Sequence, residues 1–425
     1  MVDRQRGFWI ALVLALCLGP ITLAEDIQGV QPAALDQPRV NVVVRRQPAG
    51  AVLTAAGGTF NVEAFLDTGA SGIILSAHTA QQLHIQHEFA PTPDGKPTEV
   101  NFEDVGIGGS DKFDVSDPLF FSLGPYTPSA NVDNPQAIPA TYTQSVGPLR
   151  AQIGPLGNSG DFLTQLALAD LDVVGMPALQ GKIAVLDVRP VNTFTDTIRT
   201  AVYDAKLAAA FTKTKRHVKL SYASFARFTR TTPPAAAPPT LSSNPFIGPN
   251  PVAQGDATRD ATPSIVIVHH GKSISGSWLL DTGAAASMIS RKNAEMLDVR
   301  YVEGTFGTDN PQLQGVPAAR QFVLSVGGIG GARKAAGFFL DELRLSTTEG
   351  QDLVFKGAPV LVADITVQDA ATGRSFTLDG VFGMNFLVAS CMLEGGSLLP
   401  DMTKLTPSAF ERIVIDQPDA LLGLQ

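Results

Sequence analysis

The chain has little of several things that usually anchor a protein's identity. It holds only two cysteines in 425 residues, Cys17 and Cys391. Aromatic residues make up 7% of it and charged residues 17%, with 31 Lys+Arg against 40 Asp+Glu. No basic run reaches five residues, so an acidic chain of this kind is a poor partner for nucleic acid. Beyond the N-terminus no apolar run approaches the ~18 residues of a membrane-spanning helix. What is abundant is Gly (40) and Pro (30). That mix favours many short strands and turns over a helix bundle, and the length allows two or three domains.

The first 24 residues have the layout of a secretory signal peptide. Arg4 and Arg6 precede the apolar run Phe8–Leu18, and GPITLA leads to the acidic Glu25-Asp26. Cleavage is expected after Ala24, which makes the protein an exported one: periplasmic, extracellular or held at the cell envelope. Cys17 leaves with the leader. Cys391, in the apolar stretch FLVASCML, is then the sole thiol, and it is expected to be buried and inert.

The chain repeats itself. FLDTGASGIILSAHTAQQLHI starts at Phe65 and LLDTGAAASMISRKNAEMLDV at Leu279. At an offset of 214, Leu66, Asp67, Thr68, Gly69, Ala70, Ser76, Ala80 and Leu83 recur as Leu280, Asp281, Thr282, Gly283, Ala284, Ser290, Ala294 and Leu297. Each copy predicts an apolar strand, a DTGA turn, a second short strand, and a helix N-capped by Ser76 or Ser290. The glycine-rich runs VGIGG (105–109) and VGGIGG (326–331) follow, then VVGMPAL (173–179) and VFGMNFL (381–387). Three landmarks in one order mark a duplicated domain. The expected division is an N-terminal segment over 25–38 that is a candidate pro-segment, one lobe over 39–230, a Pro/Ala-rich linker over 231–261, and a second lobe over 262–425. Strands are expected at RVNVVV, GTFNVEAFL, KIAVLDV, HVKLSYASF, PSIVIVHH, SGSWLL, FVLSV and PVLVADITV. The segment 193–211 is the clearest candidate for a longer helix.

One DTG triplet is usually just a turn. Two of them, each after an apolar strand and inside a repeat, call for chemistry. A tight turn holds a carboxylate at a strand end, and its glycine lets backbone approach the oxygens. The threonine hydroxyl can bond across to a partner turn. If the turns meet, two carboxylates share one site. Like charges a few Å apart do not both ionise readily, so the pair holds one proton over a wide pH range. Such a pair can draw a proton from water and donate one to a carbonyl oxygen, which hydrolyses an amide without metal or covalent intermediate.

In these motifs the chain resembles the aspartic peptidases, the pepsin/retropepsin superfamily. FLDTGAS and LLDTGAA look like its active-site signature, and VVGMPAL and VFGMNFL like its hydrophobic-hydrophobic-Gly element beneath the catalytic turn. VGGIGG is similar to the flap region of retropepsins. The resemblance covers about residues 39–225 and 262–395. It implies two homologous β-barrel lobes with a cleft between them, in an all-β dominated fold. It implies Asp67 and Asp281 as the catalytic pair, Thr68, Gly69, Thr282 and Gly283 as the supporting turns, and Gly106, Gly108, Gly327, Gly328 and Gly330 as flap positions. The substrate would be an extended polypeptide, bound by a monomer with no metal or cofactor. Ala70 and Ala284 stand where pepsins carry Ser or Thr, which is the retropepsin-like choice. No pepsin-type flap tyrosine is fixed: Tyr126 and Tyr142 lie in an irregular stretch. The alternative is a catalytically inactive pepsin-fold protein that binds ligands or serves cell-envelope assembly.

Other motifs carry less. His78, His84, His87, His217, His269 and His270 lack any HExxH or cysteine partner and are expected to be solvated surface groups. HHGKS (269–273) lacks the first glycine of a phosphate loop, and a hairpin turn is expected there. Ser71 lacks the GxSxG context of a nucleophile.

Overall fold

The computed structural model describes residues 24–54, 62–91, 94–126, 141–154, 171–206, 213–223, 225–226, 229–232, 260–369, 375–393 and 400–425. The proposed leader, bar Ala24, and residues 233–259 of the linker lie outside them. Strands account for 53% and helices for 8%, so the fold is all-β dominated, with a sheet curled into a half-barrel.

The repeat seen in sequence is a repeat in space. In the first copy, Val173–Val174 runs parallel to Phe65–Leu66 and antiparallel to Ile73–Ile74. In the second, Val381–Phe382 runs parallel to Leu279–Leu280, and Gly380–Val381 pairs antiparallel with Met288–Ile289. These strands are short and buried on both faces, hence their near-continuous apolar sequence. Leu66, Ile73, Leu280 and Ile289 are fully buried, each contributing about 1.5–3 kcal/mol relative to exposure. Helices Ala77–Gln82 and Arg291–Met296 follow, and the expected caps are present. Ser76 Oγ accepts the Thr79 N–H at 3.0 Å, and Ser290 Oγ accepts the Asn293 N–H at 3.2 Å.

The glycines of the late motifs lie under the DTG turns. Gly175 N–H donates to Gly72 O (3.1 Å) and Met176 N–H to Ala70 O (2.9 Å), while Met384 N–H donates to Ala284 O (2.9 Å). A Cβ on Gly175 would stand 2.2 Å from Gly72 O and 2.3 Å from Ala70 O. Both obstacles are backbone and cannot swing aside. Gly175→Ala should therefore cost about 1–3 kcal/mol, the usual penalty of overpacking, measured as a fall in Tm. Gly95→Ala is a poor control because its φ is +78°; Gly327→Ala, where a Cβ would meet nothing within 4 Å, is the better comparison.

The halves are tied by a shared run of strands. Lys182–Asp187 pairs with Arg412–Asp416, and Leu421–Leu424 pairs with Arg216–Lys219. Tyr222 then lies opposite Ala261, at the start of the second copy. The segment 25–38 also crosses over: Glu25–Gln28 runs parallel to Leu353–Lys356, and Ala33–Ala34 pairs with Ser390–Cys391. Cys391 is buried and unbridged, and burial pushes its thiol up to about 11, as an inert thiol requires.

Two expectations need correction. The segment 193–211 is not a helix where described: Arg199–Asp204 is a strand antiparallel to Lys182–Asp187. Thr200 and Val202 are buried and alternate with more exposed neighbours, so a two-residue period and β-branched side chains override local helix propensity. His269, expected at the surface, is buried. It follows Val268 on strand Asp260–His269, whose hairpin partner is Lys272–Ser277. The turn between them, His270-Gly271, has positive φ at both residues (47° and 77°), the geometry of a tight two-residue hairpin. The expected hairpin is thus present, but its register turns His269 inward.

His269 packs against His270 (ring centroids 4.0 Å) and Phe338 (5.1 Å), and neither ring nitrogen has a hydrogen-bond partner. Burial, reinforced by His270, holds its pKa below the usual value near 6.5 despite the opposing pull of Asp341. The unfolded chain therefore takes up this proton first. Stability present above about pH 6.5 falls as pH drops below it, by at most about 1.4 kcal/mol per pH unit. Replacing His269 by Phe should flatten the stability curve between pH 7 and 5, read from urea titrations of both proteins.

Candidate active site

The two DTG turns meet. Thr68 N–H donates to Thr282 Oγ1 (3.0 Å) and Thr282 N–H to Thr68 Oγ1 (3.1 Å). Each hydroxyl then donates onward across the pseudo-twofold: Thr68 Oγ1 to Leu280 O at 2.7 Å, Thr282 Oγ1 to Leu66 O at 2.5 Å. Both threonines are fully buried. Four bonds in a reciprocal pattern lock the turns together, and the apolar strands entering each turn hold the lock from below.

This lock brings the carboxylates to one place. A Cβ on Gly69 would lie 2.4 Å from Asp281 Cγ, and one on Gly283 would lie 2.4 Å from Asp67 Cγ. Each carboxylate thus rests against the bare glycine of the opposite turn, a position no side chain there would permit. Gly69 N–H also donates to Asp67 Oδ1 (2.7 Å). The side-chain amide of Gln37, from the N-terminal segment, donates to Gly283 O. Asp67 and Asp281 both line a cavity of about 460 Å³.

Two hairpins close over this cavity, and the glycine runs are their tips. Asn101–Gly106 pairs with Gly109–Val115, and Gln321–Gly328 pairs with the start of Gly331–Leu345. The tips touch: Gly108 N–H donates to Ile329 O (3.0 Å), and Gly330 N–H donates to Asp111 Oδ2 (2.9 Å). A Cβ on Gly108 would stand 2.3 Å from Gly331 O, and one on Gly330 2.2 Å from Gly109 N. Cβ atoms on Gly106 and Gly328 would be 2.8 and 2.9 Å from Ile329 and Ile107 side chains, whereas Gly327 faces open space. Four of the five candidate glycines therefore sit at the tip-to-tip contact, with Gly327 one step back. Neither tyrosine belongs to a hairpin: Tyr126 lies by the Arg39 guanidinium, and the Tyr142 ring covers Gly124.

Sequence reasoning missed Asp104, Asp111, Gln152 and Gln37, all of which line the cavity. The run DVGIGGSD (104–111) is symmetric about its GIGG tip, and a hairpin assigned there would have paired its two aspartates. Ser71, set aside as a nucleophile, donates to buried Asp260 at 2.8 Å and is structural.

Outside the cleft, His87, Glu99 and Asp114 place one ligand atom each within 4.8 Å of one another, a spacing a cation could bridge. His87 Nδ1 bonds Glu99 and lies 3.6 Å from Asp114 Oδ2, so direct contact among the three side chains accounts for the same geometry. No protein-family model matches the chain, and no curated protein matches it.

Proposed function

We propose that the chain is an exported, monomeric aspartic endopeptidase of pepsin-like bilobal build, with retropepsin-like turns. The observation that carries this reading is the reciprocal threonine lock, which sets Asp67 and Asp281 against each other's turns at the floor of one cavity. Two carboxylates so placed share a proton. The ionised one takes a proton from an attacking water, and the protonated one donates to the substrate carbonyl oxygen. The tetrahedral intermediate then collapses as a carboxyl proton passes to the leaving amide nitrogen. The strand-like hairpins over the cavity offer backbone groups to an extended polypeptide. No step calls for a metal or cofactor.

The test is hydrolysis of an unfolded protein by the full chain across pH 3–8, with and without a statine-type peptide that mimics the tetrahedral intermediate. Cleavage blocked by the mimic is expected. Tight binding of peptides with no cleavage at any pH would instead favour the inactive binding protein.

A further inference from the structure

Segment 25–38 reaches both DTG turns. Leu66 N–H, next to Asp67, donates to Pro38 O (2.8 Å). Gln37 Nε2 donates to Gly283 O, and Ala34 N–H donates to Ala285 O (2.8 Å). Between Ala34 and Pro38, one stretch of chain thus touches the strand entering the first turn and the loop leaving the second. The rest of the segment is built into the second half. Glu25–Gln28 lies along one edge of strand Leu353–Val362, and Met288–Ile289 covers the far end of that edge. Gly331–Leu345 takes the other edge. Ile27, Val30 and Ala33 are buried among core side chains. Gln31 N–H donates to Ser390 Oγ (2.9 Å), and buried Asp36 accepts Ile198 N–H (2.8 Å). Release of the segment would bare the edge of a central strand and leave buried polar groups without these partners.

The segment nevertheless leaves the site open. Of its residues, Ala33 and Gln37 alone line the cavity. With the segment in place the cavity still has about 460 Å³, and both Asp67 and Asp281 still face it. A segment that silenced two carboxylates would have to fill that space or bring a cation to it. Residues 25–38 hold Glu25, Asp26 and Asp36 and no basic side chain. Gln37 is neutral, and its amide is committed to a backbone carbonyl of the turn. The contacts are those of a support, and the composition is the wrong one for an inhibitor.

We propose that segment 25–38 is a permanent strap of the working site, not a pro-segment removed to activate it, and that Gln37 is a positioning residue for the turn that carries Asp281. This deepens the peptidase reading and rests on it. The Gln37 amide ties Gly283 to a stretch whose next residue, Pro38, holds the strand behind Asp67. The two turns are thus registered to each other by the strap as well as by Thr68 and Thr282, and small errors in that register are costly to catalysis. No proteolytic step within residues 25–38 stands between export and activity.

The experiment follows the exported protein by mass spectrometry and by hydrolysis of an unfolded polypeptide over the same period, across pH 3–8. The expected result is full rate from the first time point, by a chain whose mass still includes residues 25–38. Activity that appears only after a lag, together with loss of the segment, overturns the strap and leaves the peptidase standing. Binding of the statine-type peptide to the intact chain, with no polypeptide hydrolysed, does the reverse: it sinks the peptidase and leaves an open site behind a retained strap. Gln37→Met tests the positioning role, because it keeps the length of the side chain and cannot donate. Its kcat, per site titrated with the statine-type peptide, should fall roughly fivefold to tenfold while KM changes by less than about twofold. Counting titrated sites removes any loss of folded protein from the comparison. An unchanged kcat per site would show that Gln37 does not position the turn.

Discussion

Replacing either Asp67 or Asp281 by Asn should reduce peptide hydrolysis roughly 10⁴-fold or more, and the double variant should be about as inactive as each single one. The members of a catalytic unit act together, so their losses do not add. Asparagine is isosteric and keeps the turn, but it can neither share a proton nor accept one from water. The fold should survive. The Thr68–Thr282 lock does not involve the carboxylates, and removing one charge relieves repulsion between two close acids. Tm should therefore hold or rise slightly. A single variant that kept most of its activity would show that one carboxylate suffices, and the paired mechanism would be wrong.

The second large effect is on the lock itself. Thr68→Val keeps the shape of the side chain and removes its hydroxyl. Two buried groups of the partner half then lose their bonds, the Thr282 N–H and the Leu280 carbonyl. Each unsatisfied buried group costs about 1–3 kcal/mol, so the variant should lose about 2–6 kcal/mol. The reciprocal Thr282→Val strands Thr68 N–H and Leu66 O in the same way. The two single variants lose different bonds, so their losses add by count, and any shortfall in the double variant measures how far each half of the lock depends on the other. Activity should fall as well, since the carboxylates keep their spacing only while the turns stay joined. Urea denaturation of the three variants measures the coupling. Strictly additive losses would mean that the two threonines act separately.

Local signals carried much of this architecture. The DTGA repeat, the Ser76 and Ser290 caps and the turn at His270-Gly271 are each set by residues within a few positions of one another, so they could be read directly. The apolar strands around the turns were legible for a related reason: strands buried on both faces leave continuous hydrophobic runs. What stayed hidden depends on partners far along the chain. Arg199–Asp204 is a strand because Lys182–Asp187 lies beside it. The crossing of segment 25–38 into the second half depends on strands more than 300 residues away. Asp104 and Asp111 come together only because the hairpin places them opposite each other beneath its tip. His269 is buried by the register of its hairpin, which composition does not reveal.

The claim at the centre of this account is that a single chain supplies both acids of one site. It is tested most directly by mixing. Hydrolysis of an unfolded polypeptide is measured for the wild type, for Asp67→Asn, for Asp281→Asn, and for an equimolar mixture of the two variants held long enough for any subunits to exchange. An intramolecular pair, joined by the Thr68–Thr282 lock, predicts a wild type whose activity per chain is unchanged on dilution, and two variants that stay inactive alone and together. Recovery of activity in the mixture would mean that the working pair forms between chains, and that result would contradict the account.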